Sequence, residues 1–124
     1  MAGERILVVE DNEKSMKLFR DVLQATGYRT LEASRAEDGV ELAAAQLPAL
    51  VLMDVQLPGI DGVEGLAWLR RDERTAAIPV IALTAQAMHG DRERFLAAGF
   101  DAYLSKPVDI VELLRTVEEL LERE

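Results

Sequence analysis

Leu50-Val51-Leu52-Met53-Asp54 is the stretch that decides the fold. Four apolar residues stand in an unbroken run and end on an acid. A run without alternation marks a strand buried on both faces, as in a parallel sheet. Working outward, Ile6-Leu7-Val8-Val9 repeats the pattern and runs into Glu10-Asp11. Val80-Ile81-Ala82-Leu83 repeats it and meets Thr84, and a weaker version, Ala102-Tyr103-Leu104, is followed by Lys106. Residues 28–33 mix polar and apolar side chains and read as an edge strand.

Helical spacing fills the gaps. Met16, Phe19 and Leu23 recur three and four apart, as do Val63, Leu66 and Leu69 or Arg70. Ile110, Leu113, Leu114, Val117 and Leu121 form the clearest stripe. Three helix starts resemble capping boxes: Ser34 with Glu37, Asp61 with Glu64, and Asp109 with Glu112. Asn12 suits the start of the first helix, and Gly27 and Gly99 suit helix stops. The sum is an α/β chain of five βα units, a single domain over 1–124, with helices on both faces of one parallel sheet. In the expected strand order 2-1-3-4-5, winding reverses between strands 1 and 3. Ligands of such sheets bind there, beyond the strand carboxyl ends.

Composition narrows the chemistry. With no cysteine and one histidine in 124 residues, disulfides, thiolate sites and zinc clusters are excluded. The run Ile6–Val9 is too short for a signal core or a membrane span, so a cytoplasmic protein without membrane insertion is expected. A formal charge of −9 opposes direct nucleic-acid binding and favours partners with a basic docking face. His89 reads as a surface residue, and Trp68 and Phe95 as packing residues.

The strand ends carry the candidate site. Glu10, Asp11 and Asp54 would meet at one sheet edge, and three ionised carboxylates together call for a cation. Hard oxygen donors favour magnesium (Mg2+), held by Asp11, Asp54 and the backbone carbonyl of Gln56, with Glu10 direct or through water. Calcium or manganese suits the same ligands. Asp54 is the candidate nucleophile, able to form an aspartyl phosphate. Lys106 and Thr84 would bind the oxygens of the transferring group. Lys106-Pro107 reads as a turn that aims the lysine back across the strand ends, and Pro58-Gly59 as a tight turn beside Asp54. Caps alone would need no lysine and threonine at the same edge.

These residues carry a family pattern. Val-Val-Glu-Asp-Asn at 8–12, Leu-Met-Asp-Val-Gln-Leu-Pro-Gly-Ile-Asp-Gly at 52–62, Ala-Leu-Thr-Ala at 82–85 and Tyr-Leu-Ser-Lys-Pro at 103–107 resemble the receiver domain of two-component response regulators. The resemblance covers Arg5 to Glu122, and the order and spacing of the motifs are more specific than any one of them. It implies a flavodoxin-like three-layer sandwich, and the strand order above is partly knowledge it carries. It implies that Asp54 is the phosphorylation site, that Glu10 and Asp11 hold magnesium, and that Thr84 and Lys106 sense the phosphoryl group. Tyr103 resembles the aromatic switch residue, so the surface of helix 4, strand 5 and helix 5 would change for a downstream protein target. The donor would be phosphohistidine on a sensor histidine kinase or a histidine phosphotransfer protein. The receiver would catalyse its own phosphorylation and dephosphorylation, without turning over as a conventional enzyme. Gln56 and Gln86 flank the site and would influence phosphoryl lifetime. The chain is similar to single-domain regulators, including those of cell-cycle control and chemotaxis.

Three other functions fit less well. A small metal-dependent phosphatase would want a second acid two residues after the nucleophile, where Gln56 stands. A flavin-binding module would want glycine or hydroxyl residues after strand 1, where Glu10-Asp11-Asn12 stands. A phosphorylation-independent adaptor would not need Asp54, Thr84 and Lys106 together.

Overall fold

The computed structural model describes residues 3–85 and 90–122. Gln86 and His89, singled out above, lie outside the described residues. The strands are β1 (Arg5–Val9), β2 (Arg29–Ala33), β3 (Leu50–Asp54), β4 (Val80–Thr84) and β5 (Ala102–Ser105). The helices are α1 (Glu13–Ala25), α2 (Ala36–Gln46), α3 (Gly62–Arg71), α4 (Asp91–Ala98) and α5 (Ile110–Glu122). All four strand pairings are parallel, and the order is β2-β1-β3-β4-β5.

Side chains along each inner strand point alternately to opposite faces. Ile6, Val8, Leu50, Leu52, Ile81 and Leu83 enter one core with Phe19 and Leu23 of α1 and Leu113 and Val117 of α5. Leu7, Val9, Val51, Met53, Val80 and Ala82 enter the other, against Ala36 and Ala43 of α2, Leu66 and Leu69 of α3 and Phe95 of α4. This is why β1, β3 and β4 read as unbroken apolar runs: both faces are covered. The first crossover, through α1, and the second, through α2, lie on opposite faces. The reversal therefore falls between β1 and β3, as expected for this winding.

Local signals explain most helix ends. Asn12 Oδ1 accepts from Ser15 N at 3.0 Å, and Asp61 Oδ1 from Glu64 N at 3.0 Å. Asp109 Oδ1 accepts from Val111 N and Glu112 N at 2.9 and 3.1 Å. Gly27 takes φ 107° after α1 and Gly99 takes φ 116° after α4, the left-handed turn that lets Tyr28 and Phe100 close back on Leu23 and Phe95.

Some expectations need correction. Ser34 does not cap α2. The extended cap residue is Arg35, without a side-chain bond, so Ser34 stands one residue too early to reach the free amides. Glu37 accepts from Arg35 instead, at 3.3 Å. Asp54 and Thr84 are the last residues of β3 and β4, with Asp54 registered to Leu83 and Thr84 to Ser105. In α5 the fully buried ridge is Leu113, Val117 and Leu120; Leu121 flanks it.

At the opposite end of the sheet, Arg70 ties α3 to the starts of β4 and β5. Its guanidinium donates to Ala76 O, Ile78 O, Gly99 O and Asp101 Oδ2, at 3.0, 2.6, 3.0 and 2.9 Å. Asp101 Oδ2 also accepts from Val80 N at 2.8 Å.

Candidate functional site at the carboxyl edge of the sheet

The carboxyl ends of β1, β3, β4 and β5 build the site. Val9 pairs with Met53, so Glu10 emerges beside Asp54, and Lys106 follows the end of β5. Glu10 and Asp54 are 2% and 4% exposed, whereas Asp11 is exposed, so two acids are fixed by packing and one faces solvent. Carboxylate oxygens of Glu10, Asp11 and Asp54 lie within 4.8 Å of one another.

Lys106 reaches this cluster across the sheet edge. Its Nζ lies 2.6 Å from Glu10 Oε1 and 2.9 Å from Asp54 Oδ2. Lys106 N donates to Thr84 O at 2.7 Å, which fixes its backbone beside the end of β4. Backbone amides complete the carboxylates. Asn12 N donates to Glu10 Oε2 at 3.1 Å, and Gln56 N to Asp54 Oδ1 at 2.9 Å. Thr84, 3% exposed, ends the strand beside Asp54. Gln56 itself is exposed two residues after Asp54.

Burial pushes the Glu10 carboxyl above its ordinary value of 4.5; the Lys106 bond opposes this, and the Asp54 neighbour adds to it. For Lys106, burial alone would lower the ammonium pKa. The bonds to Glu10 and Asp54 outweigh it and hold the group above its ordinary 10.5. One ammonium faces three carboxylates when all are ionised, which leaves the cluster short of positive charge. An all-oxygen donor set with this deficit fits a hard divalent cation such as magnesium.

Tyr103 is half-buried on β5, its ring 5.5 Å from that of Phe95 on α4. Partial burial, with the charge of Asp91, holds its hydroxyl above the ordinary range. Arg94 extends this arrangement, stacked 4.7 Å over Phe95 and paired with Asp91 at 3.0 Å.

Gly62 was quoted only as part of a motif, yet it shapes the site. A Cβ there would lie 2.2 Å from Asp54 O and 2.9 Å from Val55 Cα. The first turn of α3 thus rests directly on the backbone of the nucleophile candidate, and Gly62 N donates to Val55 O at 3.0 Å. The available signal was a glycine directly after the cap Asp61, where a better helix former would be expected.

No described helix is long and apolar enough to cross a membrane. The response regulator receiver domain family model matches residues 6–118. The polar-differentiation response regulator DivK of Brucella ovis is 45% identical over 116 residues, covering 94% of each chain. The crystal structure of a putative response regulator from Chloroflexus aurantiacus superposes with a TM-score of 0.92 at 30% identity, covering 97% of this chain and 98% of that one. The receiver domain of a sensor histidine kinase from Pseudomonas aeruginosa, crystallised with a magnesium ion coordinated in its active-site cleft, gives a TM-score of 0.90 at 37% identity. That match covers 98% of this chain and 99% of the other. On this agreement over nearly its whole length, the chain belongs to the response regulator receiver domain family, whose members work in two-component signalling.

Proposed function

We propose that this protein is a cytoplasmic phosphoacceptor switch that takes a phosphoryl group from phosphohistidine onto Asp54. The observation that carries this reading is the buried Asp54 carboxylate, 2.9 Å from Lys106 and grouped with Glu10 and Asp11. One Asp54 oxygen attacks phosphorus, the phosphorus–nitrogen bond of the donor breaks, and its electron pair returns to the imidazole ring. No base is needed, because a carboxylate is ionised near neutral pH.

Glu10, Asp11, Asp54 and the Gln56 carbonyl are the groups proposed to hold magnesium. The ion, when bound, supplies positive charge against the phosphoryl oxygens. Lys106 binds one phosphoryl oxygen and so exchanges part of its pairing with Glu10 and Asp54 for the new anion. The Thr84 hydroxyl donates to another. Burial of Glu10 and Asp54 lowers the local dielectric, which strengthens these charge interactions.

The same reading makes Tyr103 the reporter. As Thr84 is drawn towards the phosphoryl group, Tyr103 turns further inward towards the space Thr84 leaves, and the α4–β5–α5 surface changes for a downstream protein. The donor is a sensor histidine kinase or a histidine phosphotransfer protein. Addition of about −1.5 to −2 charge biases a two-state equilibrium that exists before phosphorylation. Identical amide chemical shifts with and without a phosphoryl analogue would remove this coupling.

The direct test is intact mass after incubation with magnesium and acetyl phosphate, or with a phosphorylated histidine donor. One added phosphoryl group is expected, absent with EDTA and absent from Asp54→Asn. Failure with both donors would move the function to a phosphorylation-independent adaptor.

A further inference from the structure

A second recessed surface lies between α2 and α3, apart from the acidic site and from the α4–β5–α5 face. Val40, Ala44, Ala45 and Trp68 line a groove of about 520 Å³, together with Glu37 and Glu41. Alanines on α2 leave open the space that longer side chains would fill, and the half-buried indole of Trp68 stands across from them.

The charges of this groove are not balanced from within. Arg74 is its one lining cation, and it is bound to Asp72, another lining residue, at 2.7 and 3.1 Å. Glu41 is exposed and has no ion pair among the described residues. Glu37 meets Arg35 through Oε2 at 3.3 Å, while its Oε1 is buried and accepts no hydrogen bond. A buried acceptor without a donor is uncommon and costs stability, and the Glu37 side chain is 34% exposed, so a turn of its carboxylate brings that oxygen to a donor from outside.

We propose that the α2–α3 groove docks a basic amphipathic segment of a partner protein. The apolar side of that segment lies on Val40, Ala44 and Ala45. A lysine or arginine lies against Trp68 and donates to Glu37 and Glu41, where indole and carboxylate both favour a cation. Charge selects this occupant over others. The chain carries −9, which steers basic partners inward and opposes a second copy, nucleic acid or an anionic membrane at an acidic groove.

Trp68 is the sole tryptophan, so emission excited at the red edge, where Tyr28 and Tyr103 do not absorb, reports this groove alone. The probe is a synthetic helical peptide of leucine and lysine, titrated into the full chain, with amide shifts recorded in parallel. A saturable emission change is expected, with shifts at Val40 and Ala44. The double variant Glu37→Gln/Glu41→Gln should weaken binding about tenfold. Ala45→Arg, at an exposed position, should abolish it without disturbing the fold. Glu118→Gln/Glu119→Gln removes equal charge from the exposed face of α5 and should change affinity less than about twofold. Absence of saturable binding overturns the proposal. Equal weakening by both double variants overturns it in favour of general charge attraction. An emission change that depends on protein concentration without peptide overturns it in favour of a second copy.

Discussion

Lys106 and Asp54 stand 52 positions apart in the chain and 2.9 Å apart at Nζ and Oδ2. The same ammonium lies 2.6 Å from Glu10 Oε1, so one cation links two buried carboxylates that come from different strands. The lysine therefore stabilises the resting site as well as serving the proposed chemistry. These two roles separate by measurement.

Lys106→Met leaves Glu10 and Asp54 facing each other without their cation. In EDTA near neutral pH the variant should lose about 2 kcal/mol of stability, read as a lower urea midpoint. Magnesium should restore more stability to the variant than it adds to the native protein, because it replaces the missing charge. Equal magnesium effects in both would show that Lys106 does not neutralise the metal ligands.

Glu10 makes a signed pH prediction. Its carboxyl binds a proton more tightly in the fold than in the unfolded chain, because burial raises its pKa above 4.5. Its contribution is fully present below pH 4.5 and is lost as pH rises through the raised folded value. In EDTA, the stability of the native protein minus that of Glu10→Gln should fall across that window and then level. Lys106 follows the same sign at the alkaline end: its contribution holds below 10.5 and is lost as pH rises through the raised value. A flat Glu10 difference curve would contradict the burial of that carboxyl.

Much of this arrangement was legible in the sequence, for a physical reason. Leu50–Met53 and Ile6–Val9 are buried on both faces, and such strands leave a one-dimensional mark. An acid at such a strand end can be no more than a helix cap, but caps need no lysine at the same edge, and Glu10, Asp11, Asp54 and Lys106 came together as expected. What stayed hidden depends on distance in space. The contact of Gly62 with the Asp54 backbone joins residues whose packing no spacing rule encodes. Ser34 failed as a cap because helix starts shift by a residue with little local cost, and Arg35 took the extended position. Arg70 read as a possible core position on α3, and its real role is set by three carbonyls that converge from two loops.

Gly62→Ala tests the seat of Asp54. Its added Cβ would overlap Asp54 O at 2.2 Å, and both that atom and Val55 Cα belong to the backbone, so no side chain can swing aside. The strand end or the start of α3 must shift, with a cost of about 2–3 kcal/mol. The urea midpoint should fall with an unchanged slope, and phosphoryl incorporation should fall with it when measured well below the midpoint. A variant with native stability and native incorporation would mean that the backbone around Asp54 is more compliant than its packing indicates.

Arg70→Lys should separate stability from the site. A lysine carries the charge to Asp101 but cannot present the planar fork that serves Ala76, Ile78, Gly99 and Asp101 together. Loss of two or more of these bonds should cost about 1–3 kcal/mol. Because Asp101 Oδ2 also accepts from Val80 N, amide exchange at Val80 should speed up more than exchange in β1. Arg70 lies at the opposite end of the strands from Asp54, so phosphoryl incorporation under folded conditions should stay at the native level. Loss of incorporation at native stability would mean that this brace sets the carboxyl edge of the sheet as well as its foot.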